Sequence, residues 1–107
     1  MKLAIIGSRN LDCEINLDFT PTQIISGGAK GIDQSAKKYA IENNIDYLEI
    51  RPDYDKYPFK VAPIIRNKAI VENSDLVIAY WDGISKGTKY VIDLCKKMNK
   101  EIKVILI

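Results

Sequence analysis

Five short apolar runs punctuate the chain: LAIIG at 3–7, QIIS at 23–26, YLEI at 47–50, LVIAYW at 76–81 and KVILI at 103–107. They are rich in isoleucine and valine and lack clean alternation, the pattern of strands buried on both faces of a parallel sheet. Three segments between them carry helical spacing. Ile32, Ala36, Tyr39 and Ala40 share one stripe, Ile65, Ala69 and Ile70 a second, and Val91, Leu94, Cys95 and Met98 an i, i+3, i+4, i+7 set. Strands that alternate with helices predict an α/β, Rossmann-like three-layer sandwich with a five-stranded parallel sheet in the order 3-2-1-4-5. The first crossover, SRNLDCEINLDFTPT, is barely long enough for a helix and has only a weak helical pattern closed by Pro21, so an abbreviated helix or coil is expected there. Pro63 suits the first turn of the second helix, which leaves RPDYDKYPFK before it as loop.

At 107 residues the chain is expected to form one domain spanning 1–107, with no repeat or linker. Its 16 basic and 14 acidic residues differ by two, so no strong overall field recruits nucleic acid or anionic membrane, and any anion site has to be local. The start, MKLAIIGSRN, fits neither a signal peptide nor a membrane span, so a cytoplasmic protein with no membrane partner is expected. With no histidine, and with Cys13 and Cys95 far from metal-ligand spacing, the sequence points away from a zinc site, a Ser-His-Asp triad and a Cys-His dyad. No metal and no cofactor are expected, and the two cysteines should be reduced.

Ligands of open parallel sheets bind beyond the carboxyl ends of the strands, where strand order reverses. Three loops fall on that edge: Gly7-Ser8-Arg9, Ser26-Gly27-Gly28-Ala29-Lys30-Gly31-Ile32-Asp33, and Asp82-Gly83-Ile84-Ser85-Lys86-Gly87-Thr88. Glycines let backbone amides approach a phosphate, and each following helix offers unpaired N–H groups at its positive end. Arg9, Lys30 and Lys86 add charge; Ser8, Ser85 and Thr88 add hydroxyls. Neither glycine turn is a Walker loop or a GxGxxG fingerprint. The same residues also suit plain strand-to-helix turns, with Asp33 complementing a helix dipole, Asp82-Gly83 forming a turn and Ser85 or Thr88 capping a helix.

Arg66-Asn67-Lys68 reads as the start of the second helix, near the same edge. Arginine there is electrostatically unfavourable without an anion, which makes Arg66 and Asn67 ligand candidates. Tyr54, Tyr57 and Phe59 suit either stacking on a base or covering the core, and Trp81 either lines the pocket or packs beneath its loop.

GSR, SGGAKGIDQSA, RNKAIVENSDLVIAYWDG and SKGT, in this order, resemble the SLOG superfamily of Rossmann-like domains, most closely its small YspA-like branch. That superfamily includes the Lonely-guy phosphoribohydrolases and the Rossmann domain of the DNA-processing protein DprA/Smf. The resemblance spans nearly the whole chain, loops 10–22 and 51–60 least, and implies a nucleotide-like ligand at the three turns and a homodimer. Lonely-guy enzymes carry an RK pair and a PGGxGTxxE loop with a catalytic glutamate. Here Arg66 and Lys68 flank Asn67, WDGIS replaces PGG, Gly87-Thr88 match GT, and Val91 stands where the glutamate would. Glycosidic cleavage needs a carboxylate to stabilise the sugar cation or activate water, which valine cannot supply. Asp82 or Asp33 would have to substitute; if the chain is an enzyme, a nucleoside-monophosphate phosphoribohydrolase, its candidate catalytic residues are Arg66 and Asp82. SGGAKGID also matches the SGxAxGID turn of DprA-like proteins, with an echo of their FPxRN element in Tyr57-Pro58-Phe59 and Arg66-Asn67, which implies single-stranded DNA as an alternative partner. The favoured expectation is a sensor or accessory module that binds a nucleotide-derived phosphate ligand through backbone amides, Arg9 and Arg66, with Asp82 accepting from a ribose hydroxyl.

Overall fold

The computed structural model describes residues 1–107. Strands β1 (Lys2–Gly7), β2 (Gln23–Ser26), β3 (Asp46–Glu49), β4 (Leu76–Trp81) and β5 (Glu101–Leu106) form one parallel sheet ordered β3-β2-β1-β4-β5. Helices α1 (Ile32–Glu42), α2 (Ala62–Glu72) and α3 (Lys86–Lys97) complete the expected α/β sandwich. None is long and apolar enough to cross a membrane.

The sheet divides two cores. On one face Ala4, Ile6, Ile25, Val77 and Ala79 pack against Ile70 and Val71 of α2 and Val91, Ile92 and Cys95 of α3. On the other, Leu3, Ile5, Ile24 and Ile78 pack against Ile32, Ala36 and Ala40 of α1. Cys13 packs with this second core and Cys95 with the first, and both are free. Burying a medium-sized aliphatic side chain contributes about 1.5–3 kcal/mol, so the β1, β2 and β4 triplet supplies much of the drive to fold.

One expectation changes. Burial on both faces holds for β1, β2 and β4 but not for the edges: Leu48 of β3 is exposed, as are Val104 and Leu106 of β5. An edge strand is covered by helices only where they overhang it, and three helices cannot overhang five strands on both sides. The first crossover takes the coil form, one of the two expected, and contains no helix. Residues 11–20 instead alternate strictly, with Leu11, Cys13, Ile15, Leu17 and Phe19 turned toward the second core and the residues between them exposed. The signal is visible in LDCEINLDFT, where apolar and polar residues alternate as in an extended chain, and this strap does for half of that face what a helix would otherwise do.

Candidate functional site

Register in the parallel sheet sets Gly7 beside Tyr80 and Ser26 beside Glu49, so the loops after β1, β2 and β4 leave from one edge. Between them lies a cleft of about 530 Å³, walled by Gly7, Arg9, Gly27, Asp33, Arg66, Asn67, Asp82, Ser85, Gly87 and Thr88, with Asn10, Pro63 and Ile84 at further positions. Ser8, Ser26, Gly28, Lys30, Gly31, Gly83 and Lys86 are not among its walls. Ser8 and Ser26 are buried beneath it, whereas Lys30 and Lys86 are exposed. Lys68 pairs with Glu72 at 3.9 Å on the outer surface of α2. A larger hollow of about 700 Å³ separates the strap from α1, but Asp12, Glu14 and Glu42 there outnumber Lys38, and no glycine turn faces it. It is the wrong electrostatic environment for a phosphate.

The glycine turn after β2 holds a carboxylate. Asp33 accepts from the Ala29 amide at 3.0 Å, whereas the amides of Gly28, Lys30 and Gly31 donate no hydrogen bond. Asp33 is almost fully buried; that burial raises its pKa, against the lowering effects of the Ala29 amide and of Arg66. A phosphate placed in this turn would face a carboxylate competing for the same donors. Gly28 and Gly31 have backbone reasons to be glycine: both have positive φ (73° and 76°), and a Cβ would meet Glu49 or the carbonyls of Arg9 and Leu11. At Gly27 a Cβ would fall 2.4 Å from Arg66 Nη1. The turn therefore shapes the cleft wall and sets a carboxylate beside its donors.

Beneath it lies a polar chain that the sequence reading does not include. The hydroxyls of Ser26 and Tyr47 share a hydrogen bond, Tyr47 donates to Glu49 at 3.3 Å, and Glu49 accepts from Arg51. Burial is the main reason that the Tyr47 pKa is pushed up to about 12, and Arg51 holds Glu49 below the ordinary carboxylate range. Alternation in DYLE announces that Tyr47 and Glu49 share a face, but nothing local says that they meet Ser26.

The turn after β4 is divided. Asp82 accepts from the amides of Ile84 at 2.9 Å and Ser85 at 2.7 Å, which lower its pKa. Both bonds fall on one carboxylate oxygen, Oδ1, which shapes the turn. Ser85 caps α3, accepting from the Thr88 amide at 3.4 Å, and Trp81 packs under the loop, donating to the Ser85 carbonyl at 3.0 Å. No hydrogen bond engages the amides of Lys86 and Gly87, at the positive end of a 12-residue helix. A Cβ on Gly87 would meet nothing within 4 Å.

Arg66 does not start its helix: α2 begins at Ala62, so Arg66 lies in its second turn, and the dipole argument for an anion falls away. Reach replaces it. The guanidinium donates through Nη1 to the Gly27 carbonyl at 2.9 Å and through Nε to Asn67 at 2.8 Å. Burial, followed by the counteracting field of Asp33, governs its pKa, which is lowered; Arg9 adds to the lowering. The four ion pairs of the molecule include neither Arg9 nor Arg66. Val91, buried on α3, closes the cleft floor where the Lonely-guy pattern has its glutamate. No group of three or more acidic or cysteine side chains is arranged to hold a metal ion.

Fold and cleft together define a Rossmann-like α/β domain with a polar cleft at the carboxyl edge of its sheet. The chain matches no protein-family model, no curated protein and no solved structure.

Proposed function

We propose that the chain binds a phosphate-bearing nucleotide or nucleotide-derived small molecule in this cleft, as a sensor or accessory module. The observation that carries the reading is the pair Arg9 and Arg66: two guanidinium groups line one cleft and repel each other, neither has a carboxylate at ion-pair distance, Asp33 offsets Arg66 only through its field, and the free Gly87 amide at the start of α3 lines the same cleft. An anion there gains charge-assisted hydrogen bonds from both sides and relieves the repulsion. The phosphate contacts in this reading come from Arg9, Arg66 and the Gly87 amide, while Asp33 keeps the turn after β2 in shape. Val91 on the floor supports binding over glycosidic hydrolysis.

The test is a thermal-shift and calorimetric screen of nucleotides against the wild type and Arg66→Ala, with product analysis of every hit. A nucleotide should stabilise the wild type without turnover, and Arg66→Ala should weaken it about tenfold or more, the loss expected for a charge-assisted bond. Release of free base and ribose 5-phosphate would replace this reading with the phosphoribohydrolase. Tighter, salt-dependent binding of oligonucleotides than of mononucleotides would replace it with single-stranded DNA binding. The SLOG resemblance adds a homodimer to the reading, which sedimentation of the chain checks.

A further inference from the structure

Between β3 and α2 the chain holds two large aromatic rings out in solvent. Tyr54 and Phe59 stack on each other with centroids 5.5 Å apart and an interplanar angle of 23°, yet Tyr54 is 51% and Phe59 79% exposed. They do not cover the core. Leaving such rings in water forgoes the burial that normally accounts for aromatic residues. The loop that presents them is internally braced: Asp53 accepts from the amides of Asp55 and Lys56 at 3.2 Å, the Tyr57 amide donates to the Asp53 carbonyl at 3.1 Å, and the Pro58 carbonyl accepts from Val61 and Ala62. It leads directly into the helix that delivers Pro63 and Arg66 to the cleft. Neither ring is itself a wall of the cleft, but Pro63, four residues after Phe59, is.

We infer that the Tyr54–Phe59 pair is the base-binding platform of the cleft, on which a nucleobase stacks while its phosphate is held by Arg66. This rests on the nucleotide reading above and extends it to a ligand class: a nucleotide bound with its base on a preformed aromatic surface at the cleft's α2 side. Every base has a π-face, so recognition by stacking is tolerant of base identity and favours the larger purines. The braced loop means that little ordering is lost on binding.

The experiment measures binding of the four common ribonucleoside monophosphates and of ribose 5-phosphate to the wild type, Phe59→Ala, Tyr54→Ala and Arg66→Ala, with circular dichroism confirming that each variant is folded. Both aromatic residues are exposed, so these variants should fold. Phe59→Ala and Tyr54→Ala should weaken the best-bound monophosphate about tenfold and leave ribose 5-phosphate unchanged, whereas Arg66→Ala should weaken both. Monophosphate affinity unchanged in the aromatic variants, or lost equally for ribose 5-phosphate, overturns the platform and leaves the phosphate site standing. Failure of the wild type to bind any of the five ligands overturns the platform together with the reading on which it rests.

Discussion

Replacing Gly87 by alanine separates what the fold requires from what a ligand requires. Gly87 is the second residue of α3, its backbone is outside the left-handed region, and an added Cβ would meet nothing within 4 Å. Packing and backbone geometry therefore give no reason for glycine, and helix propensity argues against it. Alanine is favoured over glycine by about 1 kcal/mol in a helix interior, and a first-turn position should realise about half of that, about 0.5 kcal/mol. An unfolding entropy of about 2.1 cal/mol/K per residue over 107 residues then gives a rise in Tm of about 2 °C. With a phosphate seated against the Gly87 amide, the new methyl stands where an oxygen approaches, and affinity should fall about tenfold, equivalent to about 1.4 kcal/mol. Differential scanning calorimetry with and without the nucleotide found by screening reads both effects. A lower Tm in the ligand-free variant would refute the claim that the position is structurally free. A higher Tm with unchanged affinity would refute the close approach of phosphate.

Gly7→Ala should behave oppositely: its Cβ would lie 2.5 Å from Ile32 Cγ1 and 2.7 Å from the Tyr80 carbonyl. Overpacking against backbone should cost about 3 kcal/mol, visible as a large loss in the denaturation midpoint. The two cleft aspartates should show opposite pH signatures in thermal unfolding. Burial raises the Asp33 pKa in the folded chain, so the folded state takes up that proton before the unfolded state does, and the wild type gains stability as pH falls through the raised value. Asp33→Asn, which keeps an acceptor for the Ala29 amide, should thus be more stable than the wild type at neutral pH, with the advantage shrinking toward acid; an advantage that grows toward acid would refute the cause given. The amides of Ser85 and Ile84 lower the Asp82 pKa, a contribution present above the ordinary carboxylate pKa and lost as pH falls through the lowered one. Asp82→Ala should accordingly lower Tm at neutral pH, and the penalty should fade in acid.

Much of the architecture was legible because burial on both faces leaves a compositional mark. LAIIG, QIIS and LVIAYW are continuous apolar runs, and β1, β2 and β4 are the strands covered on both sides. KVILI carries the same mark and misleads, since β5 is a partly uncovered edge. The strap was legible as well, but in its alternation rather than in the weak helical spacing. Of the site, the three loops could be placed on one edge from strand order alone. The state of their donors could not: Asp33 reaches back four residues to the Ala29 amide, and Arg66 crosses 39 residues to the Gly27 carbonyl.

By itself the sequence determined the order of elements, the parallel sheet and the edge at which glycine, arginine and hydroxyl residues gather, because periodicity and turn chemistry are local properties of a chain. Only the tertiary structure decided which of those groups remain available. SGGAKGID and DGISKGT look alike as anion turns, yet the first holds a buried aspartate four residues on against its Ala29 amide, while the second ties its own first residue, Asp82, to the amides of Ile84 and Ser85. The stacked Tyr54 and Phe59 are likewise indistinguishable in sequence from rings that cover a core. A hydrogen-bond donor or an aromatic face is free or taken according to what stands beside it in space, and that neighbour is set by packing between distant segments.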